Sequence, residues 1–273
     1  MIKSFKRQVA YEWKAGIRSR VKMYLLVLLI FLLLGISIWI SADAEMVKTL
    51  TVSDYLTKIF LGITEMKTAD RTTSFYLPKE WAIVQVVYLL FISTYPKKDE
   101  TERGYQVLLR NQNKKIWWFG KCQWLVMTTF FYYALLYFVL LFISTATGEG
   151  FVFDVAIRNI WGLQKLKMQT GEGWLALYIM PWLSMMAIGF GEMLLSFLLN
   201  PAAAVGISLC YLISSIYVAA PWLLGNYSMI MRNSQVMESG GVSCFYGIIE
   251  SVGVIGVILL AGSIYMRKRE TGN

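Results

Sequence analysis

Long apolar runs alternate with short charged segments along the whole chain. Six of the runs are 18 to 29 residues long, which is enough for an α-helix to cross the hydrocarbon core of a bilayer. The strands of a membrane barrel alternate in polarity and are only about 10 residues long, so the runs predict helices. The predicted spans are residues 23–42, 78–95, 117–145, 174–199, 202–224 and 246–266.

The segment before the first span has a different pattern. Ile2, Phe5, Val9, Trp13 and Ile17 recur at helical spacing, and most of the basic side chains between them fall on other faces. A basic amphipathic helix that contains a Trp is typical of a membrane surface. We therefore expect residues 1–22 to form a cytoplasmic interface helix, either as a lipid anchor or as a contact surface for a cytoplasmic partner.

Composition agrees with this pattern and sets the fold class. The chain of 273 residues is 57% hydrophobic and has a mean hydropathy of +0.53. A soluble domain of this length would not carry several apolar spans near 20 residues. The sequence predicts an all-α polytopic membrane protein, with a single transmembrane domain over residues 1–273 that has six spans, an N-terminal interface helix and a short cytoplasmic helix.

The distribution of charge predicts the orientation. If the N-terminus is cytoplasmic, 17 of the 26 Lys and Arg residues lie on the inner side, and ten of the 17 acidic residues lie on the outer side. Because Lys and Arg are enriched in cytoplasmic loops, both termini and the loop over residues 96–116 are expected in the cytoplasm of a cell-membrane protein. The net charge of +9 then reflects orientation and contact with lipid headgroups, and no nucleic-acid partner is expected.

Several classes of chemistry have no support in the sequence. The chain has no His, its three Cys are far apart, and no Walker A, HExxH or GxSxG motif occurs. We expect no catalytic residue, no metal site and no cofactor in this chain, and therefore no enzyme activity of its own.

Three of the polar side chains inside the predicted spans are candidates for a site. Glu192 lies in the fourth span, after Pro181, and Gln85 and Gln123 lie in the second and third spans. An ionisable residue within a membrane is a functional candidate by default, so Glu192 either couples to transport or pairs with an Arg or a backbone N–H at the inner mouth. The two glutamines are expected to form hydrogen bonds between helices.

The charged segment between the second and third spans contains a small apolar ridge, Val107–Leu109. Acidic residues precede the ridge and basic residues follow it, an order that the helix macrodipole favours. An apolar triplet inside a charged cytoplasmic loop suits a contact with another protein, although the lipid interface is an alternative. The residues assigned to this docking helix are Glu100, Glu102, Arg103, Gly104, Val107, Leu108, Leu109 and Arg110.

With this loop, the chain resembles the permease subunits of type 2 ATP-binding-cassette exporters of bacteria. The resemblance rests on six spans, the basic amphipathic helix before them, the Glu100–Gly104 start, the Leu ridge and the basic residues up to Lys121. Family members often have a Pro after the ridge, where this chain reads Arg110–Asn111–Gln112. That departure leaves the end of the docking helix open.

The resemblance implies an outward transport function. A separate ATPase subunit, which would hold the ATP and Mg²⁺, would dock on the 96–116 loop and move it as a lever. A second permease subunit, either the same chain or a related one, would complete the path for a hydrophobic or amphipathic substrate, which could be a peptide, a lipid or a drug-like molecule. The alternative is a membrane subunit that senses or confers immunity without transport.

Overall fold

The computed structural model describes residues 2–44, 49–63, 77–101, 114–148, 170–237 and 240–271. Within these ranges the chain is helical, and the only strand-like pairing is a single bridge between Asn233 and Val242. The α-helices are α1 (Ile2–Glu12), α2 (Val21–Ala44), α3 (Val52–Phe60), α4 (Lys79–Ser93), α5 (Tyr95–Thr101), α6 (Lys114–Ala146), α7 (Thr170–Trp174), α8 (Met180–Leu198), α9 (Pro201–Tyr217) and α10 (Cys244–Thr271).

Short segments with other hydrogen-bond patterns join some of these helices. A π-helical turn and a 3₁₀ turn connect α1 to α2, and a second π-helical turn connects α7 to α8. Two 3₁₀ turns lie between α9 and α10. These segments are Trp13–Ile17, Arg18–Arg20, Leu175–Ile179, Leu224–Ser228 and Ile230–Arg232.

A helix occupies each of the six positions where a span is predicted. Four stretches are long and apolar enough to cross a membrane: Val21–Ala42, Lys115–Ala146, Gly171–Leu198 and Cys244–Lys268. The helices α4 and α9, of 15 and 17 residues, are shorter. At its C-terminus α9 stops before residue 224, because Val218 is extended and Asn226 donates to the carbonyl oxygens of Val218 and Ala220.

The central element of the bundle is α8. It packs against α4, α5, α6, α9 and α10. In the membrane-length stretch that contains α8, 78% of the most apolar 18-residue segment is buried, against 17% in the stretch that contains α10. The α10 helix therefore presents an apolar surface to its surroundings, with side chains such as Val257 and Leu260 about two-thirds exposed.

Two segments between spans fold back into one end of the bundle. The α3 helix begins with a capping box between Thr51 and Asp54, and nearly all of its side chains are buried. On the other segment, the fully buried Arg232 donates from Nε to the carbonyl oxygen of Ile63 at 2.8 Å and from a terminal nitrogen to that of Ile216 at 2.7 Å. These bonds hold the segment after α9 inside the bundle.

At the opposite end, close contacts hold α1 and the two turns that follow it against the other helices. A Cβ at Gly16 would overlap the ring of Trp124, and a Cβ at Gly120 would meet the Cγ of Gln8 at 2.5 Å. Arg20 donates to the carbonyl oxygen of Phe91 at 2.7 Å, near the C-terminus of α4. A cation at that position satisfies a helix-terminal carbonyl group and complements the macrodipole.

Candidate functional site

Most of the predicted docking helix lies outside the residues that the structure describes. This applies to Glu102, Arg103, Gly104, Val107, Leu108, Leu109 and Arg110. Glu100 is described and lies in the last turn of α5, where its carboxylate accepts a hydrogen bond from Lys97 at 2.8 Å. The described structure reaches Thr101 and Lys114, on either side of residues 102–113, which we call the docking segment.

The two candidate glutamines lie in different environments. Gln85 is fully buried on α4, where its Oε1 accepts a hydrogen bond from Tyr133 on α6 at 3.1 Å and its Nε2 lies 3.5 Å from the hydroxyl of Ser228. Gln123 is half-buried on α6, and its Oε1 has no hydrogen-bond partner among the described residues. Neither glutamine lines the cavity next to Glu192.

A buried cluster of three charged side chains joins α1, α5 and α6. The Nζ atom of Lys121 lies 2.9 Å from Oε1 of Glu12 and 2.5 Å from Oδ2 of Asp99. Lys121 is fully buried, and the two acidic residues are 2% and 6% exposed. We call Glu12, Asp99 and Lys121 the inner cluster.

Polar and aromatic neighbours complete the inner cluster. Tyr11 donates to Oδ1 of Asp99 at 2.6 Å, Tyr95 donates to Oε2 of Glu12 at 2.9 Å, and Gln8 donates to Oε1 of Glu12 at 2.9 Å. The Lys121 ammonium also lies 4.4 Å from the centre of the Tyr95 ring and 5.3 Å from that of Trp117. Aromatic faces attract a cation, so they add to the ion pairs in this desolvated place.

The inner cluster fixes the relative positions of three helices. Buried charges are tolerated where each one is paired and hydrogen-bonded, and removal of one partner leaves a charge uncompensated. Glu12 ends α1, Asp99 lies in α5 before the predicted docking segment, and Lys121 lies in the second turn of α6 after that segment. One cluster therefore fastens both ends of the 102–113 segment to the N-terminal helix.

Glu192 lies in a second, different acidic site on α8. The residue is 1% exposed, and neither carboxylate oxygen has a hydrogen-bond partner among the described residues. No Arg or backbone N–H from that part of the chain therefore satisfies it. It lines a cavity of about 240 Å³ between α8, α9 and α10, together with Gly191, Ser208, Tyr211 and Leu224 and with apolar side chains.

The inner cluster was not among the predicted site residues. Its members are far apart in the sequence, and Glu12 belongs to a segment whose basic residues suggest contact with lipid. A weak local signal exists, because Gln8 and Glu12 are four residues apart and form a polar stripe beside the apolar positions of α1. Within the described ranges, no group of three His, Cys, Asp or Glu side chains could hold a metal ion.

The described residues form an all-helical fold, its long apolar helices are those of a membrane-embedded protein, and the two sites place buried charge inside the helix bundle. A family model described as "Protein of unknown function (DUF2705)" matches residues 45–271, and the chain belongs to that family. No curated protein and no solved structure matches the chain.

Proposed function

We propose that the chain is a permease subunit of an ATP-binding-cassette exporter. A separate ATPase subunit docks on the 96–116 loop, holds the ATP and Mg²⁺, and drives outward movement of a hydrophobic or amphipathic substrate. The observation that carries this proposal is the inner cluster, which fastens both ends of the docking segment through Asp99 and Lys121.

The inner cluster gives the docking segment a mechanical connection to the bundle. A force on residues 102–113 acts on α5 and α6 together, because the cluster joins them, and α1 moves with them through Glu12. The α5 helix also packs against α8, which carries Glu192. Rigid elements joined in this way can transmit a displacement from a docking surface to a cavity inside the membrane.

The finer topology belongs to the same proposal. The shorter helices α4 and α9 cross the membrane together with the four longer stretches, both termini are cytoplasmic, and α1 lies in the inner interface against lipid. The bases near the inner ends of the spans support this orientation. The exposed apolar face of α10 suits lipid or a second permease subunit, and we propose that two such subunits enclose the path.

Co-purification with the proposed ATPase subunit tests the proposal. Leu108→Asp with Leu109→Asp should abolish capture of the ATPase while the permease still inserts, because each buried Leu contributes on the order of 1.5–3 kcal/mol to a docking contact. Asn111→Asp with Asn113→Asp is the matched control, since it adds the same two charges to the same loop and keeps the ridge.

The two variants distinguish the possible outcomes. Capture that is lost only in the Leu variant supports docking on the ridge. Capture retained by the Leu variant rejects the docking assignment and favours a ridge that lies in the lipid interface. ATPase stimulation without substrate movement in sealed vesicles would favour the sensing or immunity function over transport.

A further inference from the structure

We propose that the cavity beside Glu192 binds a protonated amine that carries a small apolar body. The carboxylate forms the ion pair and accepts N–H hydrogen bonds, and the walls of the cavity hold the apolar part. This inference rests on the proposed transport function only in making the amine a transported substrate. Binding itself requires neither ATP nor an ATPase.

The polar groups around the cavity leave the carboxylate available. Tyr211 and Ser208 line the cavity, but the hydroxyl of Tyr211 already donates to the carbonyl oxygen of Trp222 at 2.6 Å and accepts from the N–H of Leu224 at 2.9 Å. The described lining contains no Lys, Arg or His. Glu192 is therefore a buried acceptor whose partner is not supplied by this lining.

Charge determines the class of ligand. A buried carboxylate is unfavourable without a cation or hydrogen-bond donors, and a bound ammonium group supplies both. An anionic ligand would be repelled at this place, and a neutral ligand can donate hydrogen bonds but supplies no counter-charge. An intramembrane carboxylate in a laterally open cavity therefore selects a cation.

The shape and the walls of the cavity determine the rest of the ligand. Ile207 on α9 and Val254 on α10 stand at its rim, 46% and 37% exposed, so the cavity opens between two apolar helices. A ligand that partitions into the membrane can reach such an opening. A cavity of ~150 Å³ is sufficient for benzene, so about 240 Å³ accommodates an aromatic ring with a short amine chain.

Titration calorimetry with purified protein in detergent tests this inference. The probes are 2-phenylethylamine, which is protonated at pH 7, and 2-phenylethanol, a neutral molecule of nearly the same size. The wild-type chain should bind the amine about tenfold more tightly than the alcohol, or better, because a charge-assisted contact replaces a neutral one. Glu192→Gln keeps the shape of the side chain and should abolish the preference for the amine.

A second variant tests the cavity without a change of charge. A Cβ at Gly191 would meet only Ile258, at 3.9 Å, so Gly191→Leu places its side chain in the cavity and should remove binding of both probes. Gly253→Leu is the matched control, because Gly253 is an exposed helical glycine with no neighbour within 4 Å of its Cβ position. It should bind both probes as the wild-type chain does.

Two results would overturn the inference. One is absence of amine binding to the wild-type chain, and the other is an unchanged preference for the amine in Glu192→Gln. Because no ATPase is present, either result leaves the docking test on Leu108 and Leu109 unaffected. Loss of ATPase capture in that test, together with no amine binding here, would retain the proposed function and reject this ligand.

Discussion

Among the buried acidic groups of the described residues, the inner cluster and Glu192 differ in the source of their counter-charge. Glu12 and Asp99 face Lys121 from the same chain, and hydroxyl and amide donors complete their contacts. Glu192 has no partner among the described residues and borders a cavity. The comparison teaches that burial of a carboxylate does not by itself indicate a function. A carboxylate whose contacts are complete fastens helices, whereas a carboxylate without a partner beside a cavity leaves room for a ligand.

Loss of the ammonium group should have the largest effect on stability. Lys121→Met leaves two buried carboxylates facing each other and is expected to lower the free energy of unfolding by about 3–5 kcal/mol. Thermal unfolding in detergent measures this, with Lys115→Met as the control, because Lys115 is exposed near the same end of α6. Equal midpoints for the two variants would show that the inner cluster does not hold the helices together.

Neutralising the remaining acids should recover much of that loss. Lys121→Met combined with Glu12→Gln and Asp99→Asn replaces the ionic cluster with neutral groups and so removes the uncompensated buried charges that make Lys121→Met costly. The midpoint of the triple variant should therefore lie well above that of Lys121→Met. A triple variant no more stable than Lys121→Met would mean that the Lys121 side chain acts through packing and not through charge.

A smaller effect is expected from crowding next to the inner cluster. Gly16→Ala places a methyl group against the buried ring of Trp124, and overpacking of this kind costs about 1–3 kcal/mol. Gly206→Ala on α9 is the control, since nothing lies within 4 Å of its Cβ position and the change should be neutral or stabilising by about 0.5–1 kcal/mol. Comparison of their unfolding midpoints checks whether the connection between α1 and α2 packs closely against Trp124.

The smallest effect on stability should come from the second site. Glu192→Gln removes a buried carboxylate that has no partner among the described residues. The free energy of unfolding in the absence of ligand should therefore stay the same or rise by about 1 kcal/mol at most, and the unfolding midpoint should follow it. A fall as large as that of Lys121→Met would contradict this comparison and would indicate a structural partner for Glu192.

The sequence predicts the helices of this protein better than its sites. Apolar runs of sufficient length locate a helix at every predicted span, because span length is a local property. The end of α9 could not be read in this way, since it depends on the bonds from Asn226 to two carbonyl groups.

The partners of the buried charged side chains could not be predicted from the sequence pattern, because they depend on contacts between distant parts of the chain. The position of Glu192 within an apolar span made it a candidate, but the absence of a partner within the described lining depends on how α9 and α10 pack on α8. Glu12 and Lys121 are 109 residues apart, so only the packing of α1 on α6 brings them together. The burial of Arg232 likewise depends on carbonyl groups from two distant segments.

The measurement that tests this comparison most directly is the shift of the unfolding midpoint caused by 2-phenylethylamine. At about 100 times the dissociation constant, a ligand that binds only the folded chain stabilises it by about 2.7 kcal/mol. We expect 2-phenylethylamine to raise the midpoint of the wild-type chain and of Lys121→Met by the amount that corresponds to this stabilisation. Lys121→Met starts from a lower midpoint. Glu192→Gln should start at the wild-type midpoint or above and show no increase. An undiminished increase in Glu192→Gln would contradict the division of the two acidic sites into a structural cluster and a ligand site.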